Sequence, residues 1–541
     1  MSLSLRNTNV CKLQDREFDV CIVGGGINGA VSAAALSAQG AKVALIDRGD
    51  FGGSTSSQSS NLAWGGIKYL ETWEFPLVWK LCKSRNHLTA SYPSIVKEIR
   101  FLTTIEKGFR FPPFLIYLGS LLYWFMGRFA TGAPRFLSPT GLSRREPIVD
   151  IENAAGGIEY SDCYFHDNDS RFVFGFVRSA LDYGAIAANY VGSSGASYED
   201  DTWVIQATDE LSQKNFAIRA KVLINACGPG ADAYNKVSAQ TTKTRHVFSK
   251  GVHLVVDRVS QERRILAFFA SDGRLFFVIP MGPKTCIGTT DTRVEQQDVE
   301  VSKEDRDFIL RNANEMLLLD EPLTESDIIA ERCGVRPLAV EGQDDSDDWV
   351  KLSRKHTIEI DENTHHISIF GGKLTDCLNI GDEVVDLVAD LGVTLKYRGA
   401  KWYGEPDKSV HEAFLHQANL MGLDAMTNPK SCEVLSERLW RRYGSSAFEM
   451  LESIREDPAD AECMIQKAEY LRCEIEQAGR REMITKLEDF LRRRSKISLV
   501  VSRDDLLAAP GLMDACRVLF GDAAQQKYDE YFAQTDVSSL K

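Results

Sequence analysis

Residues 17 to 48 settle the first question about this chain, because they read as a strand, a glycine turn, a helix and a second strand without interruption. FDVCIVG is an apolar run rich in β-formers, INGAVSAAALSAQG is alanine-rich and closes on Gly40, and AKVALID is a second apolar run. Gly24, Gly26 and Gly29 stand at the join in the pattern G-x-G-x-x-G. The first permits a tight turn, the second lets backbone approach a pyrophosphate, and the third lets the helix pack closely on the strand. Phosphate charge then meets the helix N-terminus. Asp47 ends the second strand, where a carboxylate can accept hydrogen bonds from ribose hydroxyls. A glycine triplet alone also describes a plain turn; the ordered strand, helix, strand and acid point to a dinucleotide.

The fingerprint does not separate FAD from NAD, but the next stretch bears on it. FGGSTSSQSSNLAWGGIKYLE, residues 51 to 71, supplies a run of hydroxyls that includes Ser56, Ser57 and Ser60. Small hydroxyl side chains and free amides suit a pyrophosphate and ribityl chain running toward a flavin. The alternative, a flexible serine linker, is opposed by Leu62, Trp64 and Tyr69, which read as packed.

At 541 residues the chain exceeds what one hydrophobic core organises, so at least two domains are expected. A net charge of −14 argues against a nucleic-acid surface spread over the molecule. The twelve cysteines show no CxxC pair and the N-terminal segment has no apolar signal core, which reads as reduced thiols in a cytoplasmic protein without a bound metal. Segments at 202–227 and 252–291 carry short β-rich runs that predict a mostly antiparallel sheet. From about residue 403 the spacing turns helical, giving domains at 1–402 and 403–541. The most apolar stretch, Phe114 to Met126, is too short to span a bilayer, which takes about 20 residues. It reads first as a buried helix, with a membrane-interface helix flanked by Arg110 and Arg128 as the alternative.

GGGINGA, TSSQSSNLAWGGIKYLE, EYSDC, FVIP, IGTTD, GVRPL, SRKH, FGGKLTD and LEDFLRRRS occur in order from about residue 17 to about 500. Together they resemble the FAD-dependent glycerol-3-phosphate dehydrogenases of the D-amino-acid-oxidase-like superfamily. The resemblance implies an α/β (α+β) fold: a Rossmann-like FAD-binding domain interleaved with an antiparallel-sheet substrate domain, followed by a helical C-terminal domain. It implies oxidation of glycerol 3-phosphate, a phosphorylated polyol, to dihydroxyacetone phosphate. Electrons would pass to a membrane quinone, or to oxygen as in some relatives. The expected location is peripheral, on the cytoplasmic face of the inner membrane, and a homodimer is left open.

Under that resemblance the remaining motifs acquire roles. Arg336 in GVRPL and Arg354 in SRKH offer the planar, permanently charged donors that a phosphate dianion requires. Lys68 and Tyr69 of GGIKYLE are expected beside the substrate. Gly371, Gly372 and Thr375 form a strand-to-helix turn whose amides can stabilise charge on a reduced flavin, with Lys373 adding a cation. Gly228 in INACGPGAD is expected to approach the nucleotide. His253 is the ionisable candidate for the substrate's hydroxyl proton, against the reading of a satisfied core histidine, and Arg336 could instead stabilise the alkoxide. The chain departs from the family pattern at Trp64, Lys68, Asp376 and Cys377, where histidine, arginine, threonine and tyrosine are usual. A different substrate within the superfamily, or a non-catalytic flavin scaffold, are therefore the competing readings. The arginines of GRREM and FLRRRSK read as a solvated helix face paired with neighbouring acids, or as a phospholipid contact.

Overall fold

The computed structural model describes residues 4–270, 272–342, 356–429 and 431–539, with side chains described to residue 533. The chain divides into two compact units: residues 1–57, 167–248 and 336–541 form the first, and residues 58–166 and 249–335 the second.

The first unit is built on an eight-stranded sheet. Strands Thr357–Asp361, His366–Phe370, Lys214–Asn225, Glu17–Val23, Val43–Ile46 and Ile186–Ala188 lie side by side in that order. The Glu17–Val23 strand is parallel to both neighbours, with Val20 opposite Val222 on one side and Val43 on the other. Val20 to Val23 are all buried, the signature of a strand covered on both faces. Alanines let the helix Ile27–Ala38 sit close to its neighbours, and nearly every residue of it is buried. It packs against the helices Asp169–Asp182 and Cys377–Asp390. Of the β-rich runs expected at 202–227, the first forms the strand Thr202–Asp209, while NFAIRA and KVLIN form one continuous strand, Lys214–Asn225, that enters the parallel sheet; Val191–Glu199 pairs with Thr202–Asp209. No strand follows Phe370 among the described residues, and a succession of helices begins at Lys408.

The second unit carries the anticipated, mostly antiparallel sheet of ten strands. Its core face buries Leu102, Leu254, Leu266, Phe276 and Ile287 under Ile309, Leu310 and Ala313 of the helix Lys303–Met316. The helix Pro113–Met126 corrects the reading of a buried element. Only Ser120, Tyr123 and Met126 of it are buried, while Phe114, Leu118, Leu122 and Phe125 are exposed. The inward face is selected by a polar need, because the Tyr123 hydroxyl donates to Asp162, which is 0% exposed. A hydrophobicity profile cannot see that partner.

Candidate active site

In the first unit the fingerprint loop has the geometry its glycines imply. Gly24 lies at φ +105°, and a Cβ there would strike the backbone of Ala226. A Cβ on Gly29 would collide with the Gly24 carbonyl. Gly26 is the N-cap of Ile27–Ala38 and brings no side chain to the helix mouth. The Ser56 hydroxyl accepts from the Ile27 amide at 3.1 Å, whereas Ser57 turns its hydroxyl onto the Ser54 carbonyl at 2.9 Å. Asp47 accepts from the Gly25 amide at 2.6 Å and the Gly49 amide at 2.8 Å, so it braces the loop from below. Burial raises its pKa, and the two amide bonds oppose that shift.

A second loop of this unit follows the strand His366–Phe370. Gly371 and Gly372 both take positive φ, 63° and 101°. The Gly371 carbonyl accepts from Asn28 Nδ2 at 3.0 Å, and the Gly371 amide donates to His246 Nε2 at 3.2 Å. Thr375 is buried one short turn later, just before the helix Cys377–Asp390. Lys373 is half-buried at the start of that turn. Asp376 does not add a loose negative charge: its oxygens meet His356 Nδ1 at 2.8 Å and Asn379 Nδ2 at 2.5 Å. Gly228 sits at φ +55° with open space where its Cβ would be. Arg336 is half-buried on the strand Ala330–Glu341, and Arg354 lies outside the described residues.

The second unit holds the other candidates. His253 is 1% exposed on the strand Thr244–Asp257, and its Nε2 lies 2.9 Å from the Ser60 hydroxyl. Ser60, expected on the cofactor, is thus tied to the candidate base. Lys68 and Tyr69 occupy a short turn, Ile67–Leu70, entered through Gly66 at φ +81°. The preceding residue, Gly65, donates its amide to both oxygens of Asp162 at 3.2 and 3.3 Å, and Asp162 in turn pairs with the buried Arg85 at 3.1 Å. Sequence reasoning passed over Arg332. It is buried, and its Nη1 donates to the Ser59 carbonyl at 2.7 Å and to Asn61 Oδ1, so it fixes the segment around Ser60. The available signal was its spacing of four from Arg336, which puts both on one face of a strand.

Residues 19–375 match the model of the FAD dependent oxidoreductase family, and residues 363–527 match that of the C-terminal domain of alpha-glycerophosphate oxidase. The chain belongs to the FAD-dependent oxidoreductases. The aerobic glycerol-3-phosphate dehydrogenase of Bacillus subtilis is 30% identical to this oxidoreductase over 508 residues, 91% of this chain and 89% of the relative. Its counterpart in Staphylococcus aureus is 30% identical over 505 residues. The structure of the glycerol-3-phosphate dehydrogenase from Bacillus halodurans complexed with FAD superposes with a TM-score of 0.74 at 25% identity, covering 99% of this chain and 97% of that one.

The residues present fit FAD. The N-cap Gly26 brings no side chain to the helix mouth, the glycines bring backbone to its edge, and Asn28 Oδ1 is buried beside Gly372 with no hydrogen-bond partner among the described residues. Two arginines of FLRRRSK are neither a solvated face nor a lipid contact in this oxidoreductase, although Arg493 does pair with the neighbouring acids Glu488 and Asp489. Arg493 and Arg494 are buried and converge on Asp50, just past the fingerprint unit, at 2.8 Å each. Arg480, in GRREM, remains exposed and pairs with Glu476 at 3.4 Å, as expected of a helix surface.

Proposed function

We propose that this oxidoreductase converts sn-glycerol 3-phosphate to dihydroxyacetone phosphate and passes the electrons to a quinone. The observation that carries the reading is an FAD-fitting glycine loop in a chain that aligns along nearly its whole length with bacterial enzymes named for that reaction. Gly24, Gly26, Gly29, Asp47, Ser56, Gly228, Gly371, Gly372 and Thr375 would hold the cofactor, with Ser57 shaping the loop. Oxidising the secondary alcohol removes a hydride from C2 and a proton from its hydroxyl. FAD, when bound, supplies the hydride acceptor.

The chain's own residues must hold a dianion and take that proton. Arg336, Lys373, Lys68 and Tyr69 would orient the phosphate, and Arg354 is assigned the same role from its motif. Lys68 keeps the charge of the more usual arginine while losing its bidentate fork. His253 would accept the hydroxyl proton, with Ser60 fixing its ring. A lipid-soluble acceptor implies peripheral association with the cytoplasmic face of a membrane; no helix among the described residues is long and apolar enough to cross one.

Anaerobic bleaching of bound flavin by glycerol 3-phosphate, compared with glycerol and lactate, tests the reading. Bleaching by the phosphate ester alone is expected. Bleaching by lactate instead would transfer the enzyme to another substrate class, and no bleaching by any would favour a scaffold. Hydrogen peroxide formation at the rate of turnover in air would identify oxygen, not quinone, as the acceptor.

A further inference from the structure

The helix Pro113–Met126 presents an apolar face that the proposed chemistry does not use. Phe114, Leu118, Leu122 and Phe125 recur at helical spacing and are all exposed. Phe125 reaches Phe129 at 5.8 Å between ring centres, and Tyr117 reaches Phe136 at 6.1 Å, so both exposed phenylalanines extend the same surface. The helix is pinned in this orientation. The Tyr123 hydroxyl donates to Asp162 on its inner side, and the Gly127 carbonyl at its end accepts from Asn86 Nδ2 at 2.8 Å. It cannot roll its phenylalanines inward without breaking those bonds.

The charge around this face has one sign. From Lys107 to Arg145 every charged residue is a lysine or arginine, in a chain whose net charge is −14. Just beyond the helix lies an open basin lined by Arg100, Arg135, Arg145, Arg263 and Arg264 together with Glu98 and Glu159. Glu159 is shared among Arg100, Arg135, Arg145 and Arg264 at 3.0 to 3.6 Å, and Arg264 also meets Glu262 at 2.9 Å and Glu146 at 3.4 Å, so the five arginines keep a small positive excess. An apolar stripe beside a cationic basin matches the boundary between acyl chains and phosphate headgroups. A second copy of the chain would instead bring two cationic rims together, which is repulsive.

We propose that this face docks on a bilayer containing anionic phospholipid, with the phenylalanine stripe at the acyl boundary and the Arg135–Arg263 basin on headgroup phosphates. The inference rests on the membrane clause of the proposed function and names the surface that satisfies it. The test is co-sedimentation of the FAD-loaded full chain with phosphatidylcholine vesicles, with and without phosphatidylglycerol. Wild type should prefer the phosphatidylglycerol vesicles, in a salt-sensitive manner.

Phe114→Ser with Phe125→Ser should lower partition about tenfold or more while leaving flavin bleaching and the unfolding midpoint unchanged. Should that double variant unfold, Leu118→Glu makes the same test with one exposed change. Arg135→Glu with Arg263→Glu should abolish the phosphatidylglycerol preference. Wild type that ignores phosphatidylglycerol vesicles, or variants that bind as wild type does, would overturn the proposal. So would sedimentation velocity showing a dimer that the phenylalanine changes dissociate, in a protein that ignores vesicles. Failure of the dehydrogenase reading is separable, because it appears as absent bleaching while vesicle binding persists.

Discussion

Asp162→Asn preserves the shape of a wholly buried side chain and removes its charge. In the wild-type chain this carboxylate accepts from Arg85 Nη1 at 3.1 Å, from the Tyr123 hydroxyl, and from the Gly65 amide at 3.2 Å. Arg85 is 1% exposed, so its guanidinium would lose this buried countercharge without gaining water. Breaking a buried pair by removing one partner costs about 3–5 kcal/mol. The asparagine oxygen still accepts from Gly65 or Arg85, which places the expectation near the lower end, about 3 kcal/mol by urea unfolding. The measurement belongs at alkaline pH, because burial raises the Asp162 pKa against the pull of Arg85. Gly65 opens the segment that carries Lys68 and Tyr69, so KM for glycerol 3-phosphate should rise several-fold while kcat changes less. Adding Arg85→Met should recover much of the lost stability, since the stranded charge is then gone. A variant within about 0.5 kcal/mol of wild type would refute the energetic argument. Lost stability with an unchanged KM would confine the network to a structural role.

Three further outcomes follow from the geometry. Gly29→Ala should yield protein that purifies without yellow colour, because its methyl group collides with the Gly24 carbonyl; a normal flavin spectrum would disprove the close-packing role. Arg336→Ala should reduce kcat/KM by about 2–5 kcal/mol in transition-state terms if it holds the dianion, and unchanged steady-state kinetics would remove it from the site. Burial lowers the His366 pKa from 6.5 to about 4. The unfolded state then binds more protons between those values, so this residue's contribution to stability falls as pH drops from 6.5 towards 4, by about 3 kcal/mol in all. Buried carboxylates with raised pKa, such as Glu146, act in the opposite sense, so the informative quantity is the difference between wild type and His366→Gln in urea at pH 7 and pH 5.

The parts of the molecule that were legible in the sequence share a property: their signal is local. Strand, turn, helix and strand at 17–48 are dictated by residues within a few positions of one another, and the collision a Cβ would suffer at Gly29 follows from that compact turn. The antiparallel sheet announced itself through short β-rich runs, and the helical region through its period. Partners drawn from far along the chain were not legible. Ser60 was read with the serines of the fingerprint region, yet its hydroxyl meets His253, 193 residues away. Arg332 braces the same segment across 273 residues, and its spacing from Arg336 marks a strand face but not that partner.

Two arginine-rich stretches show how that difference could be used. Arg493 and Arg494 read as surface charges, yet they are buried on Asp50, which also accepts from Asn189 at 2.8 Å. Asp489, itself 0% exposed, takes the other face of Arg493 at 2.6 Å. These guanidiniums are matched by carboxylates taken fully out of water, and the match offsets the cost of burying their charge. The cations between Lys107 and Arg145 meet a different environment. Their partners, Glu71 on Arg110 and Glu159 shared among four arginines, leave Arg110 and Arg135 more than half exposed. A buried cluster is closed by carboxylates in proportion, whereas a docking surface retains unmatched positive charge beside exposed apolar side chains. By that criterion the helical C-terminal region holds itself to the fingerprint unit, and the segment around Pro113–Met126 fits the docking surface proposed for it.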